Sequence, residues 1–227
     1  MDRKIILYVL AAALLAFIAI MLFPGREGDP RPKLPWDIAV DDQGRASVFT
    51  LTLGESTFAD ARRLFGEEGE INLFAHPGRD PVVEVYFERI YLSGLRADFV
   101  MTLDVPADTA ERMYEHGLRI SQLPSGSKKV KMAPEDIDVV TQVPIRSITY
   151  LPAARLEAAL IESRFGEPAD KLTEESGIGH WLYPEKGLDV GRDPDGNVVI
   201  QYVNPGVFQD LLKPLRHEQA ETQKSDR

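Results

Sequence analysis

Hydrophobic and polar positions follow three different rhythms along this chain. Residues 5–23, IILYVLAAALLAFIAIMLF, hold nineteen positions without a charge. At about 1.5 Å of rise per residue, a helix of that length spans a hydrocarbon core of ~30 Å. Lipid favours that helix because it offers the backbone no other hydrogen-bond partner. The pattern therefore predicts one transmembrane helix, an uncleaved anchor within residues 1–23. A cleaved signal would have a shorter apolar run and small residues before the cut. Here the run leads instead into Phe23-Pro24-Gly25-Arg26-Glu27.

The second rhythm is helical. Phe58, Ala61 and Phe65 recur at helical spacing, as do Leu156, Leu160 or Ile161, and Phe165. Each run ends in Phe-Gly, and glycine just past the last turn supplies a left-handed cap. Thr57 stands at the N-cap of the first helix, and Pro152 in the early turns of the second. The third rhythm is alternation. Val83, Val85 and Phe87 alternate with Glu84, Tyr86 and Glu88, as in a half-buried strand. Residues 179–184, GHWLYP, occupy the corresponding place after the second helix, and residues 97–103 pair in the same way with residues 198–203. Residues 38–40 and 48–53 predict an initial hairpin, and 147–151 a strand before the second helix. Residues 123–131 read as a polar loop, with a short helix at about 134–141.

ADARRLFGEEGE from Ala59 and AALIESRFGEPAD from Ala158 thus match at an offset of one hundred, Phe65-Gly66-Glu67 on Phe165-Gly166-Glu167. Repetition of a supersecondary unit predicts two packed copies. The expected fold class is α+β: an N-terminal single transmembrane helix, then two similar units of helix plus antiparallel sheet. The domains are an anchor (1–23), a Pro-rich tether (24–35), a first unit (36–122), a second unit (132–215) and a polar, disordered tail (216–227).

Gly54-Glu-Ser-Thr57 running to Leu64-Phe65-Gly66, then Arg164-Phe165-Gly166-Glu167-Pro168, Trp181-Leu182-Tyr183-Pro184 and Gly187-Leu188, resemble the SmpA/OmlA-like fold of small bacterial envelope proteins. The resemblance implies a helix-plus-sheet module that acts through protein contacts, often in outer-membrane assembly. The chain departs from that pattern in having no lipid-accepting cysteine.

Charge narrows the partners. The chain carries −10, and residues 1–33 carry +2, so the remainder carries −12. Such a body repels phosphate backbones, which argues against nucleic acid. The basic head Arg3-Lys4 before the apolar run resembles a signal anchor. The expected location is the bacterial inner membrane, single-pass, with the body in the periplasm. The absence of cysteine excludes disulfides and thiolate metal sites.

Chemistry finds little support. His76, His116, His180 and His217 show no helical metal spacing. Asp193-Pro-Asp195-Gly196-Asn197 lacks the glycine and glutamate of a calcium loop at their required places and reads as a turn. Ser125-Gly-Ser127-Lys128 matches Ser-x-x-Lys without its partner motifs. No enzyme activity, cofactor or metal is expected. Tyr86, Tyr91, Trp181, Tyr183 and Tyr202 fall on or beside predicted strands. They form a candidate interaction surface if they share an exposed face, or cross-strand core packing if they do not. The expected function is a membrane-anchored envelope protein whose body binds other proteins in an assembly or scaffold role. The alternatives are a module for a small apolar or lipid ligand held between the two units, and an enzyme without a recognisable motif.

Overall fold

A computed structural model describes residues 33–213. The chain forms β1 (Ala39–Val40), β2 (Ala46–Val48), β3 (Leu51–Thr52), α1 (Phe58–Phe65), β4 (Glu70–Ala75), β5 (Val82–Leu92) and β6 (Leu95–Leu103). There follow α2 (Ala107–Glu115), β7 (Arg119–Gln122), β8 (Lys128–Lys131), α3 (Pro134–Val140), β9 (Ile145–Pro152) and α4 (Ala158–Phe165). The last strands are β10 (Asp170–Thr173), β11 (Gly179–Tyr183), β12 (Leu188–Arg192) and β13 (Val198–Tyr202), before helical residues 208–213.

Ten strands make one antiparallel sheet in the order β10-β11-β12-β13-β9-β6-β5-β4-β8-β7. This corrects the expected fold class. The described residues are mostly antiparallel sheet, and the two repeated segments do not build two separate helix-plus-sheet units. The physical reason is β9. Its backbone pairs with β13 through Tyr150↔Ile200 and with β6 through Tyr150↔Phe99, so both of its edges are occupied. After α1, strands β4, β5 and β6 step inward to β9 from one side; after α4, four strands step inward from the other. No described helix is long and apolar enough to cross a membrane. The apolar run at 5–23 and the tail at 216–227 lie outside the described residues.

One face of the sheet holds the core. Val83, Val85 and Phe87 of β5, Phe99 and Met101 of β6, Ile148 and Tyr150 of β9, and Ile200 and Tyr202 of β13 are all buried there. Alternation puts them on the same side, as a two-residue period requires. Helix α1 covers this face through Phe58 and Phe65, whose rings lie 6.2 and 5.0 Å from that of Phe87. Helix α4 covers it farther along, with the Phe165 ring 6.3 Å from Tyr183. Phe49, from the β2–β3 turn, packs against Phe99, Tyr150 and Tyr202. On the opposite face, Phe208 and Leu212 cover Leu182 and Val203.

Thr57 and Asp60 close a full capping box at α1: the Thr57 hydroxyl accepts from Asp60 N, and the Asp60 carboxylate accepts from Thr57 N at 2.9 Å. Gly66 ends that helix in the left-handed region at φ 69°, ψ 19°. Gly166 also has positive φ, 90°, but with ψ −173°, so the chain leaves α4 along a different path. Pro152 is the last residue of β9 and not part of a helix start. The segment read as a polar loop contains β8, whose Val130 is buried opposite Leu73 of β4.

Candidate functional site

A half-open pocket of about 330 Å³ lies on the core face of the sheet, beneath α4. Its floor is Tyr150 and Ile200, directly paired across β9 and β13. Ile161 and Phe165 of α4 form the roof, and Leu160, 40% exposed, stands at the mouth. Gly94, Ala153 and Ala154 place small side chains at the rim, which leaves the volume open. The remaining wall is Pro35-Trp36.

That wall is fixed from several directions. The Tyr202 hydroxyl donates to Pro35 O at 2.8 Å, and Lys33 N donates to the Ser93 hydroxyl at 2.7 Å. The indole of Trp36 meets the Phe165 ring edge-on at 6.5 Å, and the Arg164 guanidinium lies 4.8 Å from its ring centroid. A cation at that distance is attracted to the indole face. Arg96 and Arg164 are the charged residues of the lining, which contains no carboxylate. An apolar cleft with few polar groups at its edge suits one small ligand.

The candidate aromatic residues do not share a surface. Tyr183 and Tyr202 are buried on the core face. Trp181 is partly buried and donates its indole N–H to Glu162 at 3.0 Å. Tyr86 is half-buried and donates to the Asp98 carboxylate at 2.8 Å, which pushes the phenol up to about 12. Tyr91 is 72% exposed at the far end of β5. Of the pocket residues, Leu160, Ile161 and Phe165 follow the helical spacing of the sequence on α4, whereas Leu156 lies before the Glu157 N-cap. Trp36, immediately after the proline-rich segment, is the signal that the sequence carries for a docked wall.

Two polar clusters lie elsewhere. His180 and Asp189, 8% and 2% exposed, are diagonal neighbours across β11 and β12, where His180 pairs with Gly191 and Asp189 with Leu182. His180 Nδ1 is 2.9 Å from the Asp189 carboxylate, and Nε2 is 3.1 Å from that of Glu174. Burial alone would lower the pKa of this histidine, but the two carboxylates outweigh it and raise it. A folded-state pKa above the unfolded value near ~6.5 adds stability below that pH, and the contribution fades as pH rises through the folded value. His180→Gln should therefore destabilise the protein more at pH 5.5 than at pH 9, read as the shift in urea midpoint from wild type. An equal shift at both pH values would contradict the assigned clamp.

In the other cluster, His76 Nδ1 is 2.8 Å from the hydroxyl of Ser127. Burial raises the pKa of the nearby Glu84, with His76 opposing it. Ser127 is 4% exposed. The Ser-x-x-Lys residues diverge as well: Lys128 Nζ donates to the Tyr114 hydroxyl at 2.9 Å, and Ser125 Oγ accepts from Ser127 N. Asp193–Asn197 closes a turn through Asn197 N to Asp193 at 2.8 Å. Among the described residues no group of His, Asp and Glu could hold a metal ion. Comparison with protein-family models, curated proteins and solved structures found no match for this chain.

Proposed function

We propose that this protein holds the apolar chain of a small ligand in the pocket beneath α4. We further propose that it does so at a bacterial membrane, to which residues 5–23 would attach it. The pocket itself carries the reading, because a cleft of 330 Å³ lined by Trp36, Tyr150, Ile161, Phe165 and Ile200 suits an apolar guest. At ~30 Å³ per liquid water it has the room of about eleven waters. A chain on the order of ten carbons fits if a methylene takes about as much space. Burying ten methylenes at ~0.8 kcal/mol each gives about 8 kcal/mol, against an association cost of ~4 kcal/mol or more. The chain alone therefore binds weakly. A role in binding other proteins has less support, since Tyr91 alone of the five aromatics is largely exposed.

The test is photo-crosslinking of the full chain in neutral phosphatidylcholine vesicles with a diazirine-bearing decyl alcohol. Labelled peptides should map to residues 35–36 and 150–165. Ala154 is exposed at the rim, so Ala154→Phe should fill the mouth without unfolding the protein. It should cut labelling about tenfold, equivalent to ~1.4 kcal/mol of lost contact, at an unchanged melting temperature. Labelling confined to other peptides, or indifferent to Ala154→Phe, would refute the proposal.

A further inference from the structure

We infer that the ligand is a single-chain amphiphile with an oxyanion head, and that Arg164 receives that head at the pocket mouth. The inference rests on the proposed role of the pocket in holding an apolar chain.

Four observations support it. The lining has two guanidinium groups, Arg96 and Arg164, and no carboxylate, in a protein with ten more acidic than basic side chains. Seven of the twelve described arginines meet an acid, among them Arg45 with Asp41 and Glu55, Arg63 with Asp60, Arg112 with Asp108, and Arg146 with Asp104. Two of the neighbouring acids, Glu162 and Glu157, are engaged elsewhere. Glu162 accepts from Lys171 and the Trp181 indole, and Glu157 faces Arg192 at 3.9 Å. The Arg164 guanidinium instead sits over the Trp36 indole, its carbon 4.8 Å from the ring centroid. A guanidinium has five N–H donors, more than one contact with an indole face engages, so it keeps donors for an oxyanion. A neutral or cationic head would leave both arginines without a counter-charge. The overall negative charge of the body opposes any anion at long range, but it is screened within about 10 Å at 0.1 M salt, whereas contact at the mouth is local.

Carboxylates and phosphate monoesters share this chemistry, and separate arms distinguish them. The protein has two tryptophans, so Trp181→Phe leaves Trp36 as its sole indole and a reporter in the pocket wall. The full chain carrying that change, in phosphatidylcholine vesicles, is titrated with octanoate, octyl phosphate and 1-octanol, and Kd is read from Trp36 fluorescence. At least one anion should bind about tenfold or more tightly than the alcohol, the scale of a charge-assisted hydrogen bond. A preference for octanoate names a fatty acid, and a preference for octyl phosphate names a phosphorylated lipid. Arg164→Gln should bring the preferred anion to the level of the alcohol and leave the alcohol unchanged, and Arg164→Lys should retain most of the preference. Equal Kd values for all three ligands in the parent, or an equal loss for all three in Arg164→Gln, would overturn the inference while leaving an apolar pocket. Absence of binding by all three would overturn the proposed function and the inference together.

Discussion

Phe99→Ala is expected to cost about 3–5 kcal/mol of folding stability, the range for deleting a fully buried aromatic ring. Phe99 is 0% exposed on β6. Its ring lies 4.6 Å from Phe65, 5.2 Å from Phe49 and 5.2 Å from Tyr150. Those neighbours come from α1, the β2–β3 turn and β9, so the ring joins three parts of the chain. Such a site collapses poorly, because each lining residue is held by its own element, and a cavity that cannot collapse gives the larger penalties. Phe65 is only partly buried, and Phe65→Ala should cost clearly less. Urea denaturation midpoints at constant m-value measure both. If the two substitutions cost the same, or the order reverses, the core is not centred where the structure puts it.

Gly187→Ala should be damaging for a different reason, with a loss of at least ~3 kcal/mol. Gly187 lies at φ +63° between Lys186 and β12, where an L side chain is strained by about 1 kcal/mol or more. A Cβ there would also overlap the backbone carbonyl of Val203. That carbonyl cannot swing aside as a side chain would, because Val203 N itself donates to Gly187 O at 2.8 Å. The two backbones are held in register at the closest approach a glycine allows. Gly94 makes the comparison clean. It has φ +81° in the β5–β6 turn, and nothing lies within 4 Å of its added Cβ. Gly94→Ala should show the backbone penalty alone, about 1 kcal/mol. Thermal or urea unfolding of the pair separates conformational strain from collision. Similar losses for the two would mean that the β12 turn relaxes where the structure shows it locked.

Local signals in the sequence were read well where a residue acts on its own neighbours. Thr57 marks the start of α1, and Gly66 its end, because a cap needs only adjacent backbone. Val83, Val85 and Phe87 announce β5 because one face of that strand is buried and the other wet. Partnership over long distances was not legible. Residues 128–131 read KKVK, with one apolar side chain, and become β8 only because β4 offers an open edge to pair with. The strand near Ser147–Leu151 was visible, but its alternation fixes which side chains face the core and says nothing about which strands flank it. Two helix-plus-strand segments of similar pattern are equally compatible with two sheets or one, and the hydrogen bonds on both edges of β9 select one. The aromatic residues were harder still. Tyr183 and Tyr202 look the same in sequence as Tyr91, and only the pleat decides which of them meets water.

The bond from Tyr202 to Pro35 spans 167 residues, and Asn204 accepts from Ala46 N across 158. The oldest part of the described chain, in the order of its synthesis, is thus fastened by almost the newest. While the ribosome is still adding β10 to β12, Pro35-Trp36 has no anchor on β13, and Ile200 has not been made. The floor of the pocket is therefore complete, and the wall fastened to it, only once β13 has been made. A nascent chain that has not reached β13 lacks half the floor of this cleft, and contacts this distant in sequence slow the closing step of folding.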